Sequence, residues 1–211
     1  MRRYPLRTLD HPDLSNHVVH FTGRTGLSSP TVPHEIRSLT PEERLAQIVL
    51  TGQIRGFPPF GIDDSVVCFT DATEQGIAYL MKEHRYLPWG VAFRKETAFE
   101  KGAGPAFYVR GDEWDAVAEL PSELRARATR FWPGAEPDVG ENLPGYLGRP
   151  SEFLHEREWR VRADRPFEFT TEEIAYIIVG DRGFLEALSF LATQEAELEW
   201  EYARASGLEN T

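Results

Sequence analysis

Residues 17 to 22 read HVVHFT, a β-branched and aromatic run that predicts a first strand. From residue 23 to 39 Gly, Ser, Pro and Thr recur without a period, which predicts a long loop, of a length that in compact domains is functional or disordered. Periodicity returns at TPEERLAQIVLTG. There Thr40 can cap a helix, Pro41 suits its first turn, Glu43 closes a capping box and Gly52 follows its end. After the turn-like FPPFGIDD, the run SVVCFT at 65 to 70 predicts a buried strand. Asp71 and Glu74 repeat the capping signature, so ATEQGIAYLMKEH predicts a helix with Ile77, Tyr79, Leu80 and Met81 packed inward.

WGVAFRK at 89 to 95 and PAFYVR at 105 to 110 predict two more strands, joined by a short segment containing KGAGP. A polar, mostly helical stretch is expected from Asp112 to Trp132, divided at Pro121, followed by an irregular region at 133 to 150. Strands at 156 to 162 and 174 to 180 come next, then a closing helix from about Arg182 with a frayed tail. Five or six strands broken by a few helices, hairpin-like late in the chain, predict an α+β fold rather than alternating βαβ units. A chain of 211 residues fits a single domain over 1–211.

Composition narrows the partners. A net charge of −11 favours solubility and works against sequence-independent adhesion to phosphate backbones, though a local basic patch would still admit nucleic acid. The single cysteine, Cys68, excludes an internal disulfide. No apolar run approaches membrane-spanning length and the first residues lack a signal-peptide core, so a cytoplasmic protein with no membrane partner is expected. No GxGxxG follows a strand, and no Walker loop, GxSxG elbow, HExxH or EF-hand loop is present. His17 and His20, three apart on a strand, point to opposite faces, so no metal site is expected. A metal-dependent hydrolase would need His155 and Asp64 to join one of them.

The stretch LHEREWRVR, 154 to 162, carries the most conspicuous chemistry. Read as a strand it turns Trp159 and Val161 to the core and sets Glu156, Glu158 and Arg160 on one face. That face is either solvated, with Glu and Arg pairing along it, or a carboxylate at the mouth of a cleft. His20 precedes FTG, a small turn where a ligand can approach the backbone. Phe69, at a strand end before a capped helix, is a core aromatic or the floor beneath a planar ring. Arg94 is a solvated strand-end charge or faces an anionic ligand.

In this order, HFTG, the capped helix ending VLTGQI, VVCFTDATEQGIAYL and the late EREWRV resemble the ADP-ribosyltransferase superfamily. VCFTDA, WGVAFRKETAFEKGAGPAFYV and EREWRV are similar, more closely, to AbiGi-type abortive-infection proteins of bacteria. The resemblance implies split mixed and antiparallel β-sheets with flanking helices, and an NAD-dependent ADP-ribosyltransferase, with NAD as substrate. Its acceptor would be a nucleic acid or a protein, in a toxin or anti-phage setting. It also admits a catalytically degenerate binding module, acting as antitoxin or regulator towards a cognate partner. Carried over by residue, the resemblance makes His20 the histidine that holds the adenosine-side ribose, with Phe21, Thr22 and Gly23 as the adjoining strand end. Phe69 takes the nicotinamide-stacking place, where the superfamily usually has Tyr. Glu158 is the catalytic glutamate, Glu156 completes an ExE pattern and touches the acceptor, and Arg94 takes the place of an arginine. His20, Phe69 and Glu158 are thus expected around one pocket.

Overall fold

The computed structural model describes residues 14–24, 31–59, 62–83, 86–132 and 154–181. In chain order these form β1 (His17–Phe21), α1 (His34–Arg37), α2 (Pro41–Thr51), β2 (Gln53–Ile54), β3 (Val66–Thr70), α3 (Glu74–Lys82), β4 (Gly90–Arg94) and α4 (Lys95–Glu100). There follow β5 (Gly104–Pro105), β6 (Phe107–Arg110), α5 (Ser122–Arg125), β7 (Ala128–Phe131), β8 (Glu158–Arg162), β9 (Phe167–Glu168) and β10 (Ile174–Ile178). The fold is α+β, with a mostly antiparallel sheet and several helices. Its main sheet has six strands in the order β10-β4-β1-β3-β8-β5, and two small sheets pair β2 with β9 and, in parallel, β6 with β7.

Local signals fix α2 at both ends. The Thr40 hydroxyl accepts from Glu43 N, Glu43 Oε2 accepts from Thr40 N at 2.7 Å, and Gly52 ends the helix in the left-handed conformation at φ 64°. A Cβ at Gly52 would also lie 2.5 Å from the Phe169 carbonyl oxygen. Gly52→Ala is therefore expected to cost about 1–2 kcal/mol, lowering the melting temperature by several degrees. A thermal melt matching wild type would contradict this.

Residues opposite one another in an antiparallel pair share a face. The pairings Val19↔Thr70, Thr70↔Glu158 and Cys68↔Arg160 thus set Val19, Cys68, Thr70, Glu158 and Arg160 on one face. Val18, His20, Val67, Phe69, Trp159 and Val161 alternate onto the other, which α2 and α4 cover through Leu45, Val49 and Ala98 around the fully buried Phe93. Each large apolar side chain taken wholly out of water there stabilises the fold by about 1.5–3 kcal/mol. On the Glu158 face the apolar cover is split into two clusters. One is built on Val19, Ala92 and α3, the other on Val66 and the segment from Val117 to Ala128.

Several expectations need correction. Thr73, not Asp71, caps α3, since the Thr73 hydroxyl accepts from Gly76 N, and Tyr79 is 61 % exposed while Ile77 and Leu80 are buried. A helix, α4, stands between β4 and the next strands. The stretch from Asp112 to Trp132 is a 3-10 turn, the short α5 and then β7, a strand not foreseen because its pairing with β6 is a tertiary contact. The strand expected from 156 begins at Glu158, and Glu156 ends a 3-10 turn, Leu154–Glu156. The irregular region at 133–150 and the closing helix from Arg182 lie outside the described residues. Among the described residues no helix is long and apolar enough to cross a membrane.

Candidate functional site

Arg157 separates the two glutamates. Its φ of 46° is left-handed, a conformation that costs a non-glycine residue about 1–2 kcal/mol and interrupts the strand alternation. Asp71 holds it there. Asp71 N donates to the Arg157 carbonyl at 3.0 Å, and the Asp71 carboxylate, 2.6 Å from Lys95 Nζ, also meets the Arg157 guanidinium at 3.4 Å. Glu156 and Glu158 consequently enter different surroundings.

Glu156 is 3 % exposed. Its Oε2 accepts from Tyr86 OH and from Arg24 Nη2, both at 2.6 Å, and its carbonyl accepts from the Thr70 hydroxyl at 2.5 Å. Arg24 Nη2 also contacts the Tyr86 hydroxyl oxygen, and Tyr86 stacks on Phe21 with centroids 4.6 Å apart. Burial pushes the Tyr86 phenol up, Arg24 opposes this and the Glu156 carboxylate adds to it, so the phenol keeps its proton and donates. The expectation that Glu156 touches an acceptor is overturned, because the fold closes over it.

Glu158 faces a more open environment. Its side chain is 13 % exposed and its Oε2 accepts from Arg160 Nη2 at 2.8 Å, while Arg160 Nη1 donates to the Ala128 carbonyl at 2.6 Å. Cys68 lies beside it. Burial, then the Glu158 carboxylate, push the Cys68 thiol up, so it stays protonated and is no nucleophile at neutral pH. Arg24 is near enough to Glu158 for its charge to act on it. This face therefore gathers two carboxylates, two guanidiniums, a phenol and a thiol.

His20 does not share that face. It projects with Phe69, whose ring centroid is 6.0 Å from its own, and its Nδ1 lies 2.9 Å from the Cys68 carbonyl oxygen. A carbonyl only accepts, so Nδ1 carries the proton of the neutral ring and Nε2 is left an acceptor. β1 is registered with β4 along its whole length but with β3 only at Val19↔Thr70. Beyond that pair no further ladder pairing joins the two strands, and the His20 ring bridges them through the Cys68 carbonyl.

The expected pocket of His20, Phe69 and Glu158 is not formed. Phe69 is 3 % exposed and packs edge-on against Phe93 and Phe167, so no planar ring can lie on it. Arg94 is exposed opposite His17, about 10 Å along β1 from His20. The Thr22 hydroxyl donates to the Pro41 carbonyl at 2.7 Å, and a Cβ on Gly23 would meet Pro41 at 2.5 Å, so these residues fasten β1 to the start of α2. Arg24, Tyr86, Cys68 and Arg160 were not foreseen as site residues. A buried glutamate needs such partners, but they lie 132 and 70 residues from Glu156, beyond any local spacing. Among the described residues no three His, Cys, Asp or Glu side chains gather into a metal-holding group.

Burial lowers the His20 pKa below 6.5, against the opposing hydrogen bond to Cys68. The unfolded chain then binds the extra proton first, so the stability owed to a neutral His20 is full above about pH 6.5 and is lost as pH falls below it. Denaturant midpoints taken from pH 7.5 to 5 are expected to fall in wild type and to fall less in His20→Gln; equal slopes would contradict the assignment. Comparisons of the chain with family models, with curated proteins and with solved structures find no match.

Proposed function

We propose that the chain cleaves the nicotinamide bond of NAD and transfers ADP-ribose to a nucleic acid or a protein, with Glu158 as its catalytic carboxylate. The observation that supports this is the setting of Glu158: partly open, and oriented by an Arg160 that is itself fixed to the Ala128 carbonyl. A charge so held needs no reorganisation during reaction. Breaking the bond from ribose C1′ to the nicotinamide nitrogen sends the bonding pair to the ring and leaves positive charge on the ribose carbon. A carboxylate beside that carbon stabilises the charge as it develops. The acceptor then bonds to C1′ and gives its proton to Glu158, which returns it to water. His20, on the opposite face of the sheet from Glu158, has no part in this scheme. Neither Phe69 nor Arg94 has a part in this scheme.

A second reading, the degenerate binding module, draws support from the same face. Arg24 and Tyr86 occupy Glu156, Arg160 partly neutralises Glu158, and the aromatic floor is buried. The toxin or phage-defence setting rests on the sequence resemblance alone. Incubating the protein with NAD, with and without nucleic-acid and protein acceptors, separates the two. The transferase releases nicotinamide and adds the mass of ADP-ribose to an acceptor. No nicotinamide release with any acceptor would leave only the binding module.

A further inference from the structure

At the β5 edge of the main sheet an open cleft of about 790 Å³ lies between the turn after α4 and the turn after β8. Its size falls within the roughly 300–1,000 Å³ usual for small-molecule sites. It is not the Glu158 site, since its nearest β8 wall, Val161 and Arg162, stands about 10–13 Å further along the strand.

The lining carries Lys101, Arg127, Arg162 and Arg165 against the carboxylates of Glu123, Asp164 and Glu168. Two of those carboxylates are taken up by Arg162, Glu123 at 3.1 Å and Asp164 at 2.6 Å. Lys101 is paired outside the lining, with Glu173 at 2.9 Å. Among the described residues, Arg127 and Arg165 have no acidic partner, and Glu168 is the one lining carboxylate without a paired cation. With Glu173 counted, the charges of the cleft balance, and Arg127 and Arg165 are its two guanidiniums with no acidic partner among the described residues, in a chain of net charge −11.

Arg127 is half-buried against β5. A Cβ on Gly104 would lie 2.6 Å from Arg127 Nη1, so the guanidinium rests against Gly104 and would have to shift if a side chain stood there. At the rim Phe99 is 66 % exposed and offers an aromatic face that nothing in the sheet uses. Two guanidiniums able to fork onto phosphate oxygens, with an open ring nearby, match a phosphate joined to a flat base.

The geometry points to a nucleotide-binding site in this cleft, with Arg127 and Arg165 on the phosphate and Phe99 on the base. The unit bound is a nucleoside monophosphate, either free or within a single strand. The assignment is independent of NAD turnover.

Calorimetric titration of the whole chain with 5′-AMP, inorganic phosphate and a short single-stranded oligoadenylate tests it. AMP is expected to bind, and Arg127→Gln and Arg165→Gln each to weaken it about tenfold. Arg165 is exposed, so its variant keeps the test valid should the Arg127 change disturb folding. Gly104→Ala, which displaces Arg127 without removing it, should also weaken AMP. Phe99→Ala should weaken AMP severalfold and leave phosphate unchanged. Tighter binding of oligoadenylate than of AMP identifies a strand as the ligand; AMP alone identifies a free nucleotide. The site is overturned if none of the three probes binds, if AMP binding survives both arginine changes, or if phosphate binds as well as AMP. Because only binding is read, absent NAD turnover with intact AMP binding would remove the transferase reading and not this one.

Discussion

Replacing Glu158 with Gln is expected to slow NAD cleavage by about 10²- to 10³-fold while the protein remains folded. Gln keeps the size of the side chain, and its carbonyl oxygen can still accept from Arg160 Nη2, the bond that measures 2.8 Å to the carboxylate. What disappears is the negative charge that would stabilise the ribose cation. Arg160, 5 % exposed at its side chain, loses its ionic partner but keeps the Ala128 carbonyl and a neutral acceptor in the new glutamine, so the fold should weaken by about 2–3 kcal/mol. A melt run beside the kinetic assay separates lost chemistry from lost structure. A folded Glu158→Gln protein with wild-type turnover would end the catalytic assignment.

The second large effect concerns stability and has a direction that the structure fixes. Arg24 and Glu156 form an ion pair at 2.6 Å, but the Arg24 side chain is 50 % exposed and that of Glu156 only 4 %. Removing the glutamate charge frees an arginine that can turn to water. Removing the arginine takes a cation away from a carboxylate that cannot. Arg24→Met is therefore expected to cost about 2–3 kcal/mol, reduced from the value for a fully buried pair because Arg24 is half solvated. Glu156→Gln, which still accepts from Tyr86, should cost about 1 kcal/mol. Chemical denaturation of the two variants gives the comparison, and the reverse order would show that the pair does not carry the energetics assigned to it.

What the sequence made legible follows from the range over which each signal acts. The α2 helix could be read because its caps, Thr40, Glu43 and Gly52, are local contacts. The strands β1, β3, β4 and β10 could be read because buried apolar runs announce themselves. The strand β7, ATRF, could not, since it carries an arginine and exists only by lying parallel to β6. At the site, Glu158 and the inward Trp159 followed from alternation. Glu156 did not, because Arg157 takes a left-handed conformation that no glycine or asparagine signals. Phe69 fitted an aromatic floor as well as a core position, and only the packing of Phe93 and Phe167 against it decides.

The most direct measurement is a crystal structure of the Glu158→Gln protein with NAD, since a slowed enzyme should hold its substrate intact. The account predicts nicotinamide ribose C1′ beside residue 158, on the sheet face of Cys68 and Thr70. NAD bound away from residue 158, or failure of NAD to bind the folded protein, would contradict it.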